Sequence, residues 1–423
     1  MLDLSIVRTQ KEQVITALEK RGIDANTLVD NVIVADEKRR GLQSTLDQKL
    51  ALANSLAKEI GELYKNGNPQ QANHKKEESV ALKAETKALQ TQLAEAETAL
   101  HELLCSMPNI PNPLVPDGQS EDDNEEVFRA GEVPTLNEKA LPHWELAAKY
   151  ELINFELGNK ITGAGFPVYT GKGAKLQRAL ISFFLDQNTA AGYEEVQVPH
   201  LVNEQSGFGT GQLPDKEGQM YHVGADNLYL IPTAEVPITN LFRDEIVNAN
   251  DLPITRTGYT PCFRREAGSY GSNVRGLNRL HQFDKVEIVR LEHPDKAYEA
   301  LDQMVEHVKG ILEQLELPYR ILRLCGGDLG FTSAMTYDFE IYSTAQERWL
   351  EVSSVSNFES YQSTRLKLRF KDSDGNRKWV HTLNGSALAL PRIMAGLLEN
   401  HQSEEGIRIP DALVSYTGFD MIR

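Results

Sequence analysis

The sequence has few cysteines, no long apolar run and no excess of positive charge, and each absence excludes a class of protein. Its 423 residues include three cysteines, Cys105, Cys262 and Cys325, which lie far apart and form no Cys-x-x-Cys pair. A disulfide framework and a cysteine-based zinc site are therefore not expected, and a reducing compartment fits. No apolar run is long enough to span a bilayer, and the first residues lack a basic segment followed by an apolar one. We expect a cytoplasmic protein with no zinc and no membrane partner.

The formal net charge of −17 argues against a surface devoted to nucleic acid. Contacts with phosphates usually need Lys and Arg. A local basic strip can nevertheless bind a folded RNA, because RNA recognition relies heavily on shape. If this chain binds RNA, its charge predicts marked salt sensitivity.

Two glycine-rich phosphate loops are also missing. No Gly-x-Gly-x-x-Gly follows a predicted strand and no Gly-x-x-x-x-Gly-Lys-Ser/Thr is present, which excludes Rossmann and P-loop nucleotide sites. Strand-like runs at 195–198, 228–231 and 366–370 alternate with helical runs at 175–188 and 296–315. This pattern favours an antiparallel sheet with helices packed on it.

Residues 27–104 carry an apolar repeat typical of two long helices. The apolar positions are separated by steps of four and three residues, with Arg39 and Lys49 as two breaks. The seam residues are Leu28, Val32, Ala35, Leu42, Leu46, Ala53, Leu56, Ile60 and Leu63, then Leu82, Leu89, Leu93, Ala96, Leu100 and Leu103. A 3.5-residue period makes helices wrap around each other, and Asn66-Gly-Asn-Pro69 predicts a turn. We predict an antiparallel coiled-coil hairpin about 55 Å long. Dimerisation and RNA binding are both compatible with it.

A proline-rich, acidic segment marks a domain boundary, and the length of the chain also favours two or more domains. We predict an N-terminal domain at 1–106, with a short helix ending near Gly22 and then the hairpin. Residues 107–135 are predicted to be a linker, and the stretch from Met107 to Glu126 is predicted to form neither helix nor sheet. Residues 136–423 are predicted to form the domain that carries the sheet.

The most informative segment is a pair of strand-like runs rich in arginine and glutamate. The first reads Thr260-Pro-Cys-Phe-Arg-Arg-Glu266. After a loop rich in Gly, Ser and Asn, the second runs from Arg275 through Phe283 to Glu287. In a hairpin these side chains would converge on one face, where Arg can hold phosphate or carboxylate oxygens and Phe283 can stack on a base. Taken alone, the stretch also fits a salt-bridged, solvated surface.

This segment resembles the second signature motif of class II aminoacyl-tRNA synthetases, and in detail that of the seryl-tRNA synthetase family. Further motifs follow in the family's order and approximate spacing: Tyr337-Asp-Phe-Glu340, Glu351-Val-Ser-Ser354-Val-Ser-Asn357 and His381-Thr-Leu-Asn384-Gly-Ser386 with Arg392. Upstream, Thr233-Ala-Glu235-Val falls where that family binds serine. The resemblance covers essentially the whole chain. It implies an α+β fold, with an N-terminal antiparallel two-helix coiled-coil arm and a class II catalytic domain of antiparallel β-sheet flanked by helices.

The resemblance also implies an activity. L-serine and ATP would form seryl-adenylate and pyrophosphate, and serine would pass to the 3′-terminal ribose of tRNA(Ser), and of tRNA(Sec) where present. Mg²⁺ would accompany ATP. Residues 176–186 and 192–199 resemble the family's first signature, which implies a homodimer; from periodicity alone they fit an ordinary amphipathic helix and strand. In such a dimer, the arm of one subunit could present tRNA to the other.

Motif positions imply roles for individual residues. The implied catalytic residues are Arg264, Glu266, Arg275 and Arg392. The implied serine-binding residues are Thr233, Ala234, Glu235, Glu287, Asn384 and Ser386. The implied ATP-binding residues are Arg264, Arg265, Glu266, Phe283, Glu351, Val352, Ser353, Ser354 and Arg392, with Glu351 and Ser354 also binding Mg²⁺. The implied tRNA-phosphate contacts are Lys38, Arg39, Arg40, Lys75, Lys76, Lys83 and Lys87.

Three positions depart from the family pattern, namely Pro391 before Arg392, Val355 and Thr364. Pro391 fixes its φ angle and so bears on the orientation of Arg392. Two other functions share part of this pattern. Enzymes that load an amino acid onto a carrier protein lack the full arm and use metal-binding cysteines. A non-catalytic RNA-binding or scaffold protein should have lost some of the motif residues, and Arg264, Glu266, Arg275, Glu351 and Arg392 are all present.

Overall fold

The computed structural model describes residues 1–215, 218–266 and 275–423. These residues form two units. The arm unit comprises Leu2–Glu19 and Ile23–Pro108, and the sheet unit comprises Met1, Lys20–Gly22 and Asn109–Arg423. No helix in the described part of the chain is long and apolar enough to cross a membrane.

The arm unit contains the predicted hairpin. Its helices are α1 (Leu4–Thr9), α2 (Lys11–Glu19), α3 (Ala25–Lys65) and α4 (Pro69–Ser106). The Asp24 side chain accepts a hydrogen bond from the Thr27 amide and caps α3. Gly67 has a positive φ in the turn. Pro69 begins α4 at a position where a backbone amide would have no hydrogen-bond partner within the helix. Because α3 and α4 pack along each other, the coiled-coil prediction is confirmed.

The seam predicted for this hairpin is buried or partly buried at every position named above. Its two polar breaks are accommodated by charge pairs. Arg39 Nη2 lies 2.9 Å from Oδ1 of Asp36, whose side chain is 1% exposed. Lys49 Nζ lies 2.6 Å from Oε2 of Glu85 on the facing helix. The single short helix predicted before Gly22 is instead the pair α1 and α2, which are separated at Gln10.

The sheet unit alternates short helices with strands. Its α-helices are α5 (His143–Lys149), α6 (Phe155–Ile161), α7 (Gly171–Ala190), α8 (Glu204–Thr210), α9 (Glu235–Asn240), α10 (Ala297–Gln314), α11 (Tyr361–Leu366), α12 (Leu390–Asn400) and α13 (Asp411–Thr417). Single 3-10 turns lie at Glu121–Asp123, Ala249–Asp251 and Pro294–Lys296.

The strands that build the main sheet are β1 (Glu125–Ala130), β4 (Glu194–Glu195), β9 (Ile254–Phe263), β10 (Gln282–Glu292), β11 (Tyr319–Arg323), β12 (Met335–Ser343), β13 (Arg348–Asn357) and β16 (His381–Ala389). The remaining strands are β2 (Ile153–Asn154), β3 (Val168–Tyr169), β5 (Leu201–Asn203), β6 (His222–Val223), β7 (Leu228–Leu230), β8 (Ile246–Asn248), β14 (Arg369–Lys371), β15 (Arg377–Trp379), β17 (Ile407–Arg408) and β18 (Met421–Ile422).

The main sheet has the strand order β1-β11-β12-β13-β16-β10-β9-β4. Neighbouring strands are antiparallel, apart from the parallel pairing of β4 with β9. Helix α10 packs against β13 and β16, α7 against β9 and β10, and α12 against β10, β12 and β13. Their apolar faces form one core with the sheet. The predicted antiparallel sheet flanked by helices is therefore confirmed.

Two local predictions differ from the structure. The strand predicted at 366–370 starts only at Arg369, because Leu366 ends α11 and Lys367 takes a φ of +54° that breaks the extended chain. The stretch 107–126 is not free of sheet, since β1 starts at Glu125 and pairs with β11. The negative charge of β1 is accommodated because Arg323 Nε donates to Glu125 Oε2 at 3.1 Å. The boundaries at 106 and 135 stay predictions.

Candidate active site

The predicted site residues lie largely on neighbouring strands in the middle of the main sheet. β12, β13, β16, β10 and β9 follow one another there. The register places Ser354 opposite Asp338 and Glu287 opposite Ser386. Sheet pairing therefore brings together residues that are far apart in the sequence.

A cluster of buried polar side chains lies at the centre of the site. Its predicted members Thr233, Glu235, Glu287, Asn384 and Ser386 are each at most 8% exposed. Thr233 Oγ1 donates to Glu287 Oε2 at 3.3 Å and accepts from the Glu235 amide at 3.3 Å. The Asn384 side chain is hydrogen-bonded to Glu235. These five residues, with Gln362 and Lys285 described next, are called the polar pocket.

Two members of the polar pocket were missed by sequence reasoning. Gln362 Nε2 donates to Glu235 Oε1 at 2.6 Å, while Thr382 Oγ1 donates to Gln362 Oε1 at 2.7 Å. Lys285 Nζ lies 2.6 Å from Glu287 Oε2. Strand alternation could have found Lys285, which precedes Glu287 by two residues. Nothing local pointed to Gln362, which lies on α11.

The ionisation of Glu235 is shifted by its surroundings in the pocket. Burial raises the pKa of Glu235 to about 7, and the charge of Glu287 adds to the rise. Hydrogen bonds from Gln362 and Asn384 and the charge of Lys285 oppose it. The pocket thus offers acceptors to an ammonium and a hydroxyl, with one carboxyl group that ionises near neutral pH.

Three predicted residues have side chains that are packed or hydrogen-bonded inside the protein. Ala234 is fully buried in an apolar cluster with Ile238 and Val289. Val352 belongs to the main core. Ser353 Oγ donates to the Ser386 carbonyl at 2.5 Å. A role in binding would therefore fall to their backbone groups.

Arg264 connects the motif hairpin to the polar pocket. Its Nε donates to the carbonyl of Pro232, directly before Thr233, at 3.3 Å. Its guanidinium carbon lies 5.3 Å from the centre of the Phe283 ring. Arg264 and Arg265 are exposed, and Phe283 is partly buried. The cation predicted at the reacting phosphate thus sits between the pocket and the ring predicted to bind the base.

Glu266 lies beyond the end of β9 and is the last residue described in the first motif segment. It has a φ of +49°, which is uncommon outside glycine, and its carboxylate is ion-paired with Arg279. Motif residues 267–274 lie outside the described residues. The structure therefore brings Glu266 close to the segment that leads into β10, through its ion pair with Arg279.

Arginines gather at the other end of the site. Arg392 Nε donates to the Asn278 carbonyl at 3.0 Å, and its Nη1 donates to the Glu351 carbonyl at 2.7 Å. Arg275 is exposed, with its guanidinium carbon 4.8 Å from the Trp144 ring centre. Sequence reasoning missed Arg348, whose pKa is lowered by burial and then by the charge of Arg392. Arg275, Arg348 and Arg392, together with Arg264 at the junction with the polar pocket, are called the arginine end.

Pro391 does not disturb this arrangement. It lies in the first turn of α12, where proline is tolerated. The two backbone contacts of Arg392 described above are made with Pro391 in place.

Acidic side chains line the same part of the sheet. Glu351, Ser354, Asp338 and Glu340 border a cavity of about 730 Å³. Ser354 Oγ donates to Asp338 Oδ1, and burial, then the charge of Glu351, raises the pKa of Asp338 well above its usual range. Within residues 1–215, 218–266 and 275–423, no group of three or more His, Cys, Asp or Glu could hold a metal ion. These oxygens nevertheless fit Mg²⁺ bound with a nucleotide, because Mg²⁺ uses one or two carboxylates plus phosphates and water.

Two known domain families match the chain. The class II tRNA synthetase core domain (G, H, P, S and T) matches residues 221–401, and the seryl-tRNA synthetase N-terminal domain matches residues 1–111. The sheet with its motif hairpin therefore defines a class II aminoacyl-tRNA synthetase.

Full-length relatives narrow this class. The serine–tRNA ligase of Salinibacter ruber is 50% identical over 100% of this chain and 99% of that protein. The seryl-tRNA synthetase from Pyrococcus horikoshii, solved in complex with ATP, has a TM-score of 0.93 at 32% identity, covering 100% of this chain and 99% of that one. The cytoplasmic serine–tRNA ligase from Naegleria fowleri, in complex with AMP, has a TM-score of 0.88 at 25% identity over 100% and 99%. This chain belongs to the seryl-tRNA synthetase family.

Proposed function

We propose that this chain is a serine–tRNA ligase that forms seryl-adenylate from L-serine and ATP and then esterifies tRNA(Ser). One observation carries the proposal. The polar pocket offers Glu235, Glu287 and Thr233 to an ammonium and a hydroxyl. Next to it, Arg264 is hydrogen-bonded to the carbonyl of Pro232, the residue before Thr233. Such a pocket can reject an amino acid without the hydroxyl, because its own buried polar groups would be left unpaired.

Activation joins two anions, so a cation must lie between them. A carboxylate oxygen of serine attacks the α-phosphorus of ATP, and the bond from that phosphorus to the bridging oxygen breaks to release pyrophosphate. Arg264, beside both the polar pocket and Phe283, offsets the repulsion and stabilises the charge of the transition state. Arg275 and Arg392 hold the phosphates that leave, with Arg348 close to Arg392.

Adenine would be held by Phe283 and Glu266. In this structure Arg264 faces the Phe283 ring, and Glu266 is paired with Arg279. We propose that ATP draws Arg264 to the α-phosphate, which leaves the ring to stack on the base. Glu351 and Ser354 would hold Mg²⁺, which when bound supplies positive charge to the phosphates.

Transfer needs a proton acceptor as the terminal ribose hydroxyl attacks the adenylate carbonyl and AMP leaves. We propose that the phosphate of the adenylate takes this proton, without a protein base. Transfer from preformed adenylate should then persist when Glu266 or Glu287 is replaced, even where activation is impaired. Loss of transfer from preformed adenylate with activation intact would contradict this step.

The arm unit would bind the tRNA through its basic residues. Lys38, Lys76, Lys83 and Lys87 are exposed. Arg39 and Arg40 both pair with Asp36, and Lys75 pairs with Glu59. The exposed lysines are therefore the stronger candidates for phosphate contacts. We also propose a homodimer, on the resemblance of 176–186 and 192–199 to the first class II signature, and a cytoplasmic location, which the scattered cysteines favour.

The proposal is tested by two assays on the full chain with Mg²⁺. Labelled pyrophosphate should exchange into ATP in the presence of serine and the absence of tRNA, with threonine as a control. Labelled serine should become attached to tRNA only when ATP is also present. Absence of exchange from folded protein would overturn the enzyme and favour a non-catalytic RNA-binding protein.

A further inference from the structure

A buried histidine and glutamate support the turn that carries Arg275. His143 and Glu399 are 0% exposed and lie 256 residues apart in the sequence. Glu399 Oε1 lies 2.6 Å from His143 Nδ1 and accepts from the His143 amide at 2.8 Å. On the other side of the ring, the Leu277 amide donates to His143 Nε2 at 2.8 Å. Leu277 is two residues beyond Arg275.

These contacts fix the tautomer and the orientation of the ring. Because Nε2 accepts a hydrogen bond from a backbone amide, the ring proton lies on Nδ1 and is donated to Glu399. Glu399 also accepts from Ser343 Oγ and, at 2.9 Å, from Gln346 Nε2. The imidazole is therefore held by a satisfied buried network and presents one acceptor to the turn.

The fit between the ring and the turn leaves no spare room. Gly276 has a φ of +68°, and a Cβ atom there would lie 2.2 Å from His143 Nε2. A side chain at this position would displace either the ring or the turn. Direct contact thus links the position of His143 to the backbone between Arg275 and Leu277.

The same network reaches a second arginine. Gln346, which donates to Glu399, accepts from Asn278 Nδ2 at 2.9 Å. The Asn278 carbonyl in turn accepts from Arg392 Nε at 3.0 Å. One buried carboxylate is therefore connected to the backbone that carries Arg275 and to the carbonyl that orients Arg392.

We propose that His143 and Glu399 are positioning residues for binding of the ATP β- and γ-phosphates, because they hold the turn of Arg275 and, through Asn278, Arg392. This inference rests on the proposed function, since it assigns those phosphates to the two arginines. The hydrogen-bond partners described for His143 are Glu399, Leu277 and Gln346, which are not among the residues predicted to bind substrate. Loss of His143 should weaken binding of ATP, which carries these phosphates, and leave binding of AMP unchanged.

The test compares ATP and AMP binding to the full-length protein by calorimetry. His143→Asn keeps a donor toward Glu399 but is too short to accept from the Leu277 amide, so ATP should bind about tenfold more weakly while AMP is unaffected. His143→Gln carries an oxygen near the Nε2 position and should recover most of the loss. Gly276→Ala should also weaken ATP binding and leave AMP binding unchanged, because the added methyl group would push the turn away from the His143 ring. This variant replaces the His143 variants in the test if those do not fold.

Leu146→Ala is the matched control, because Leu146 is buried on the same helix as His143. It should lower the melting temperature and leave the ratio of ATP to AMP affinity unchanged. The inference is overturned if His143→Asn and Gly276→Ala keep the wild-type ratio, or if Leu146→Ala changes it equally. Wild-type protein that binds both nucleotides without serine-dependent exchange would refute the proposed function, and the affinity ratio would still decide the role of His143.

Discussion

The polar pocket and the arginine end adjoin at Arg264 but are built in opposite ways. The pocket residues are almost fully buried, and side-chain bonds join Thr233 to Glu287, Gln362 to Glu235 and Lys285 to Glu287. At the arginine end, Arg264 and Arg275 are exposed, and Arg264 and Arg392 are oriented by backbone carbonyls. Choice of amino acid should therefore be tied to folding stability, while phosphate binding should be separable from it.

The largest expected effect is at the junction of the two regions. Arg264→Ala should lower the rate of serine-dependent pyrophosphate exchange roughly 10²–10³-fold, because a charge aimed at the transition state is lost. Its melting temperature should stay unchanged, since the side chain is exposed. Arg377→Ala, on exposed β15, is the control and should alter neither quantity. A large drop in the melting temperature of Arg264→Ala would contradict the claim that phosphate binding is separable from folding stability.

Inside the polar pocket, activity and stability should fall together. Glu287→Gln should raise the KM for serine roughly 10- to 100-fold with little change in the KM for ATP, because a charged hydrogen-bond partner is lost. The melting temperature should also drop, since Lys285 is left as an unpaired buried charge. Adding Lys285→Met should restore the melting temperature without restoring the KM. Recovery of both would show that Glu287 acts only through stability.

Much of this comparison was predictable from the sequence, and part of it was not. The seam of α3 and α4 follows a local period, so Leu46 could be found from the sequence pattern, and Arg264 could be found because its motif resembles that of a known family. His143 and Glu399, and Gln362 and Glu235, meet only after folding. The strand β1 was missed because its charges are paired by arginines of a strand almost 200 residues later.

A smaller effect concerns pH and sharpens the account of the pocket. Because the pKa of Glu235 rises from 4.5 to about 7 on folding, kcat/KM for serine should increase with pH up to about 7 and then level off. The same shift should make the free energy of unfolding decrease as pH rises from 4.5 to 7, since the folded state binds this proton more tightly. Pyrophosphate exchange and thermal melts across this range test both signs. Persistence of both trends in Glu235→Gln would assign them to another group.

The smallest effect is expected on the arm. Lys83→Ala should weaken tRNA binding modestly, reduce the salt slope of binding by about one and leave exchange without tRNA unchanged. Lys75→Ala, whose ammonium is already paired with Glu59, should do less. Binding titrations at several salt concentrations measure the slope. Equal effects of the two variants would contradict the distinction between exposed and paired lysines.

The most direct test of the central claim is the ratio of kcat/KM for serine to that for alanine in pyrophosphate exchange by the wild-type protein. A preformed polar pocket that bonds the hydroxyl predicts a preference for serine of at least about 10⁴-fold. Alanine within about tenfold of serine, the level that a single methylene-sized difference can give, would contradict the account of the pocket.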